Sequence, residues 1–140
     1  MDKAIYEAIF QRYKRFMLEN SKYSPRVVKF SSKKSAYFPL TTCELKNYTD
    51  TNPKTQKKVD KSKNFYFTIN HYARDIVKNN KTVSSQLIID ELTGLTHQFF
   101  GEMLGMDCTL DKPTPNLDTE ILRQTTQYDC KINNRGNIYR

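Results

Sequence analysis

The chain has 140 residues, of which 37% are hydrophobic and 12% aromatic, and this composition predicts one folded domain spanning residues 1–140. No apolar run approaches the roughly 18 residues of a membrane helix, and the charged N-terminal stretch differs from an export signal. We therefore expect a cytoplasmic protein without membrane contact. The net charge is +8, but residues 1–82 carry 18 basic and 7 acidic groups, and residues 83–140 carry 5 basic and 8 acidic groups. Such a basic half is typical of a solvated surface or of a polyanion partner such as nucleic acid.

Three elements are predicted in the N-terminal part of the chain. Residues 2–19 have apolar side chains at helical spacing from Ile5 to Phe16, which predicts an amphipathic helix. Residues 26–30 form a short β-branched run that predicts a strand. Residues 36–45 predict a second strand, in which a proline marks an edge or a bulge.

Residues 46–63 are polar and predict a long surface loop. This segment and a nearby arginine supply the candidates for contact with nucleic acid or another partner: Lys46, Lys54, Lys57, Lys58, Lys61, Lys63 and Arg74. A solvated loop without a partner is the alternative. Residues 64–71 alternate apolar and polar side chains, which predicts a strand.

The rest of the chain is predicted to be helical and then irregular. Residues 72–81 are a basic connection, and residues 84–103 predict a long helix whose buried face holds Ile88, Leu92, Leu95, Phe99 and Met103. Residues 107–118 predict a loop, residues 119–128 a short third helix, and residues 131–140 a turn-like tail. The predicted fold class is α+β, with an N-terminal helix, an antiparallel or mixed sheet of about three strands, a long helix packed on it, and an irregular C-terminal segment.

Four stretches of the chain are similar to parts of one protein family. Residues 31–37 resemble a turn into its second strand, and residues 65–70 resemble its third strand. Residues 87–92 resemble the start of its catalytic helix, and residues 135–139 the approach to its last metal ligand. In this order they resemble the SprT-like domain, a small metalloprotease fold of the zincin type. The resemblance implies that fold over most of the chain.

The catalytic helix of the SprT-like family carries His-Glu-x-x-His, in which two histidines bind zinc and the glutamate activates the metal-bound water. The matching positions here are Asp90, Glu91 and Gly94. A third histidine is expected after Tyr139, where this chain has Arg140. Only the general base, Glu91, is retained. The resemblance therefore implies a degenerate catalytic site without a resident cofactor.

A zinc site with other ligands is the alternative. Asp90 and His97 share a helical face, but seven residues of a regular helix separate them by ~10.5 Å, too far for one zinc ion, whose bonds to nitrogen are ~2.0–2.1 Å long. A second set combines His97 with Cys108, Cys130 and His71, at spacings that match no zinc module. The three cysteines of the chain are expected to be reduced thiols.

Three functions remain open. The first is a non-catalytic binding protein on a degenerate SprT-like scaffold. Because small single-domain members of that family are typical of phages and mobile elements, its partner would be a host protein or nucleoprotein that handles nucleic acid, for example a defence nuclease such as a CRISPR effector, which it would inhibit. The second is direct DNA or RNA binding, in which Tyr48, Tyr66 or Tyr72 stack on bases beside basic residues. The third is a zinc metalloprotease with atypical ligands, supported by Glu91 alone.

Overall fold

The computed structural model describes residues 3–30, 37–47, 63–116, 118–132 and 138–139. Helix α1 spans Lys3–Asn20, helix α2 spans Ser85–Thr96, and a π-helical turn at His97–Met103 continues α2. The strands are β1 Arg26–Val28, β2 Leu40–Asn47, β3 Lys63–Ala73, β4 Ile76–Lys78, β5 Lys81–Val83, β6 Asp107–Pro113, β7 Leu122–Ile132 and β8 Ile138–Tyr139.

Six of these strands form one mixed sheet. The strand order is β1-β2-β3-β7-β6, and β8 pairs with β7 beyond the end of β6. β1 and β2 run parallel, and the other neighbouring strands are antiparallel. The predicted α+β class and the mixed sheet are therefore confirmed, but the predicted number of about three strands is too low.

Both helices pack on one face of the sheet and enclose the core. α1 begins and ends within one residue of its predicted range and buries Ile9, Tyr13 and Met17 along one side. On β3, alternate side chains including Phe67 and Ile69 are fully buried beneath the helices. The period of two that predicted this strand therefore reflects a sheet with one face turned to the core.

The predicted helix at residues 84–103 is present, but its last part is a π-helix. The amide of Leu104 donates to the carbonyl of Phe99 at 3.0 Å, a bond that spans five residues. This wider turn brings the consecutive Phe99 and Phe100 into the core. It also leaves Met103 42% exposed, so the prediction that Met103 is buried is wrong.

Within the described residues, the chain after Met106 forms the strands β6, β7 and β8. β6 lies where a loop was predicted, and β7 takes the place of the predicted helix at residues 119–128. β6 is an edge strand with almost every side chain exposed, so no alternation in its sequence indicates a strand. On β7, Gln124, Thr126 and Tyr128 pair with helix-facing residues of β3. Because two of these three side chains are polar, the period of two is hidden in the sequence.

The basic connection predicted at residues 72–81 contains a two-stranded hairpin of β4 and β5. Asn79 and Asn80 have φ angles of 53° and 62°, the conformation that a type I′ hairpin turn requires at both central residues. Ser84 follows the hairpin, and its side chain accepts the amide of Leu87 at 3.2 Å. This N-cap fixes the start of α2.

Three sequence predictions fall largely outside the described residues. Residues 31–36 of the stretch that resembles a turn into the family's second strand lie outside them. The lysine-rich segment is described only at its ends, Lys46 and Lys63, so the predicted loop itself is also outside. The predicted tail is described at residues 131–132, which end β7, and at β8. In the part of the chain that the structure covers, no helix is long and apolar enough to cross a membrane.

Candidate functional site

The positions that match the family's zinc ligands lie on α2, away from its buried side. Asp90 is exposed, and its carboxylate accepts the side-chain amide of Gln86, one turn earlier, at 2.8 Å. Gly94 is exposed, and a Cβ atom built on it would meet nothing within 4 Å. Asp90 is therefore bonded within its own helix, and open space occupies the position of the family's second histidine.

Glu91, the retained general base of the resemblance, makes a contact to the main chain. Its Oε1 atom accepts the amide of Lys22 at 2.7 Å, just beyond the end of α1. The Oε2 atom is buried, with no hydrogen-bond partner among the described residues. The carbonyl of Lys22 in turn accepts the ammonium group of Lys78 at 3.1 Å. Glu91 thus joins α2 to the main chain just after α1. Lys78 of the β4–β5 hairpin contacts the same residue, Lys22.

His97 lies at the last turn of regular α-helix, where the π-helical turn begins. The π-helical turn begins at His97, so the helix between Asp90 and His97 is regular. The predicted distance of ~10.5 Å along the axis between these two residues therefore applies. The side chain of His97 is 37% exposed.

Both ring nitrogens of His97 are engaged by the C-terminal strands. Nε2 donates to Asp111 Oδ2 at 2.8 Å, and the hydroxyl of Tyr128 donates to Nδ1 at 2.6 Å. The side-chain amide of Gln124 donates to the other oxygen of Asp111 at 2.6 Å. The Asp111 carboxylate can only accept, so Nε2 carries a hydrogen, and Nδ1 accepts from the phenol. No ring nitrogen of His97 is then free to bind a metal or to accept a substrate proton.

Tyr128 and Asp111 were not identified from the sequence as partners of His97. They lie 31 and 14 residues from it along the chain, and each is on a strand that the sequence did not predict. Burial is the largest cause that raises the pKa of Tyr128 above its usual range, so the phenol stays protonated and donates. A sequence signal for the pairing of β6 with β7 would have placed Asp111 and Tyr128 beside each other near His97.

His71, a second candidate ligand, is fully buried on β3. Its Nδ1 is 2.8 Å from the hydroxyl of Thr41, and its Nε2 is 3.1 Å from the hydroxyl of Thr96. The hydroxyl of Tyr13 contacts Thr96 at 2.8 Å and extends this chain of bonds to α1. Burial is the largest cause that lowers the pKa of His71 to about 3. His71 is therefore a neutral core histidine with both nitrogens occupied.

The cysteines do not form a reactive or metal-binding centre among the residues described. Cys43 and Cys108 are free thiols, one buried and one exposed. Burial raises the pKa of both thiols, which disfavours the nucleophilic thiolate. Cys130 lies on β7, opposite Phe65 of β3. Within the described ranges, no three metal-ligating side chains are grouped around a common point.

The basic candidates that the structure describes are already in contact with other side chains. The ammonium group of Lys46 lies 3.7 Å from a carboxylate oxygen of Glu44. The guanidinium of Arg74 lies 4.0 Å from Asp118 and stacks 4.8 Å from the ring centroid of Phe38. Lys63 begins β3, and the remaining candidates, Lys54, Lys57, Lys58 and Lys61, lie outside the described residues.

Two of the candidate stacking tyrosines share the sheet face that points away from the helices. Tyr66 and Tyr72 alternate with the buried side chains of β3 and are half-buried. Lys46 of β2 is the register partner of Tyr66, and Arg123 of β7 is the register partner of Tyr72. The guanidinium of Arg123 lies 5.4 Å from the ring centroid of Tyr72. Tyr48, the third candidate, lies outside the described residues.

The two sides of the sheet differ in net charge because their strands come from different segments of the sequence. α1, β1, β2 and β3 come from residues 1–82, which carry the basic excess, and they occupy one side of the sheet. β7 and β6 come from the acidic residues 83–140 and occupy the other side. A basic excess on the β1–β2 side would attract a polyanion.

No protein-family model matches the chain, and no curated protein matches it. The SprT-like resemblance of four short stretches accordingly stays a prediction. The candidate functions depend on the residues and contacts of this chain alone.

Proposed function

We propose that the chain is a non-catalytic binding protein on a degenerate SprT-like scaffold. Its partner is a host protein or nucleoprotein complex that handles nucleic acid, and it acts by blocking that partner. Inhibition of a defence nuclease such as a CRISPR effector is one concrete form. A phage or mobile element is the source that the family resemblance implies.

The contact between Glu91 and the main chain of Lys22 carries this proposal. A general base needs a carboxylate that faces a water molecule or a substrate. Glu91 instead accepts an amide at 2.7 Å, and the neighbouring ligand positions hold an aspartate bonded to Gln86 and a glycine. These contacts favour a binding protein over a metalloprotease with atypical ligands, which remains the third candidate.

The charge difference across the sheet supports the choice of partner. A nucleoprotein complex presents the phosphates of its bound nucleic acid, and a basic surface attracts them. No cofactor is part of this proposal. We place the protein in the cytoplasm, a compartment that keeps thiols reduced and is therefore compatible with the free Cys43 and Cys108.

Direct DNA or RNA binding is the second candidate, and one observation favours it. Tyr66 and Tyr72 lie on one face of the central strand, each opposite a basic residue of a neighbouring strand. Aromatic rings beside cations are the usual means of holding single-stranded nucleic acid. Against this, the ring of Tyr72 is already covered by Arg123.

Affinity capture combined with nucleic-acid titration separates these candidates. The chain is immobilised, exposed to a host lysate with and without nuclease treatment, and titrated separately with labelled single-stranded and double-stranded DNA and RNA. We expect capture of the same protein partner after nuclease treatment, and no saturable binding of bare nucleic acid. Saturable binding of bare nucleic acid with loss of all protein capture after nuclease treatment would favour the second candidate instead.

A further inference from the structure

Arg123, the second residue of β7, lies on the sheet face that points away from the helices, opposite Tyr72 of β3. It is half-buried, and two contacts hold its side chain in place. Its Nε atom donates to Asn70 Oδ1 at 3.1 Å, and its guanidinium lies 5.4 Å from the ring centroid of Tyr72. Its two terminal nitrogens have no hydrogen-bond or ion-pair partner among the described residues. Arg123 is therefore a positioned cation with unused donors.

Asn70 supports Arg123 from β3, and only 6% of its surface is exposed. Its Oδ1 atom also accepts the hydroxyl of Thr125 at 2.6 Å, so both lone pairs of this oxygen are occupied. The Thr125 hydroxyl in turn contacts that of Thr114, just after β6. The Nδ2 atom of Asn70 has no hydrogen-bond partner in the part of the chain that the structure describes, and it is not fully buried. Asn70 thus uses its acceptor within the fold and leaves its donors unused.

Lys112 of β6 adds a second cation beside Arg123. It is exposed, and its register partner is Thr125, so its backbone lies one diagonal step from that of Arg123, at roughly 7–8 Å on the same sheet face. No ion pair joins Lys112 to another residue in the described ranges. The side chains of Arg123, Asn70 and Lys112 therefore supply unused hydrogen-bond donors and no free acceptor. An anion that only accepts hydrogen bonds complements such a set.

The other charges on this sheet face favour a single carboxylate over a nucleic-acid strand as the anion. Glu44 of β2 and Asp129 of β7 lie on the same face, farther along β3. A strand whose bases stack on both Tyr66 and Tyr72 spans roughly 20 Å along β3, and its phosphates would pass these two carboxylates, which repel them. A single carboxylate contacts only the end of the face at Arg123. Its two oxygens also match the planar fork of a guanidinium.

We propose that Arg123, supported by Asn70 and Lys112, is the docking site for the carboxylate of an aspartate or glutamate side chain of the protein partner. The terminal nitrogens of Arg123 donate to the two carboxylate oxygens. Because Asn70 and Tyr72 hold the guanidinium before the partner arrives, little side-chain entropy is lost on binding. This inference rests on the proposed binding function and names one contact that performs it.

Nuclear magnetic resonance of the nitrogen-15-labelled chain tests the site with short peptides. The probe is N-acetyl-Gly-Glu-Gly-amide, and its matched control is N-acetyl-Gly-Gln-Gly-amide, which has the same shape without the charge. We expect the glutamate peptide to shift the Nε–H signal of Arg123 and the backbone amide signal of Asn70 in a saturable way. The glutamine peptide should bind at least about tenfold more weakly, because a hydrogen bond to a charged group is the stronger one. Equal affinity for the two peptides would overturn the proposal.

Two variants test the role of Arg123, and a third is the control. Arg123→Gln removes the guanidinium, and Asn70→Asp places a carboxylate of the same size beside it, so that the chain occupies its own site. We expect both variants to bind the glutamate peptide at least about tenfold more weakly than wild type. Arg26→Gln has the same charge change on the same sheet face, on β1, and should bind like wild type. Wild-type affinity in an Asn70→Asp protein with an unchanged melting temperature would overturn the proposal even if Arg123→Gln fails to fold.

Further probes separate the possible sources of the anion. A thymidine dinucleotide that binds more tightly than the glutamate peptide would overturn the assignment to a carboxylate, and acetate that binds as tightly as the peptide would overturn the assignment to a protein partner. If the wild type and the Arg123→Gln variant capture the same partner equally well, the docking site is wrong and the proposed function stands. Binding of the glutamate peptide at Arg123 without capture of any nucleic-acid-handling partner would contradict the proposed function alone.

Discussion

His71 is a buried histidine whose protonation opposes folding. Threonine hydroxyls engage both of its nitrogens, and burial lowers its pKa from the ordinary value of 6.5 to about 3. Below pH 6.5 the unfolded chain therefore binds a proton at this site that the folded chain does not bind. The stability contributed by the neutral ring is complete above that pH and is lost as the pH falls toward 3.

We expect the free energy of unfolding to fall by about 2 kcal/mol between pH 7 and pH 5 because of His71. The measurement is urea unfolding at both pH values. The chain contains only two histidines, so His97→Gln is the matched control, which keeps the effect of His71, and His71→Gln removes it. A His97→Gln protein whose stability is the same at pH 7 and pH 5 would show that His71 is not buried in its neutral form.

At the scale of the elements, α2 is joined to α1 through Glu91 and to β6 and β7 through His97. The apolar spacing of residues 84–103 predicted the length of this helical stretch. It did not predict the π-helical turn, because the bonds that define it depend on Phe99 and Phe100 both entering the core. A helical period read from the sequence assumes 3.6 residues per turn throughout.

The variants Glu91→Gln and Glu91→Ala distinguish two roles of Glu91. In one it accepts a hydrogen bond from the main chain, and in the other it is a general base. Glutamine keeps an oxygen that accepts the amide of Lys22, so we expect its stability and its capture of partner to match wild type. Alanine removes the acceptor and should lower the free energy of unfolding by about 1 kcal/mol. The measurements are urea unfolding and partner capture, with Asp90→Ala as the exposed control on the same helix. Loss of a proteolytic activity in the Glu91→Gln variant, at unchanged stability, would contradict this role.

The sequence predicted those elements whose buried faces are apolar. α1 and β3 were correctly predicted because Ile9, Tyr13, Phe67 and Ile69 mark their periods plainly. β7 was not predicted because some side chains on its helix-facing side are polar and form hydrogen bonds to other residues, as Gln124 does to Asp111. The hydrogen-bonded cluster around His97 was missed for the same reason, since its partners lie on unpredicted strands.

For the whole molecule, the order of strands determines where charge lies. Residues 1–82 and 83–140 carry opposite net charges, and the sheet places β1, β2 and β3 of the first segment on one side and β7 and β6 of the second on the other. Neither segment alone predicts this separation, which depends on β3 pairing with β7.

Charge reversal in the lysine-rich segment tests whether that segment contributes to binding. We expect glutamate at positions 54, 57, 58 and 61 to weaken partner binding by at least about tenfold and to flatten its dependence on salt, because cation–anion contacts are lost. The measurement is partner affinity at several salt concentrations. A control with the same charge change reverses four dispersed basic residues, Lys3, Arg15, Lys81 and Lys112. Equal weakening in both variants would show that net charge, and not this segment, determines affinity.

The proposed binding function depends most on the absence of a catalytic metal centre, and metal content tests this directly. The purified, tag-free chain is analysed for bound elements, and its melting temperature is measured with and without a chelator. We expect no stoichiometric metal and the same melting temperature in both conditions, because Asp90, Glu91 and Gly94 supply no zinc-ligand set. About one zinc ion per chain, with a melting temperature that drops on chelation, would contradict the proposed binding function and favour the metalloprotease.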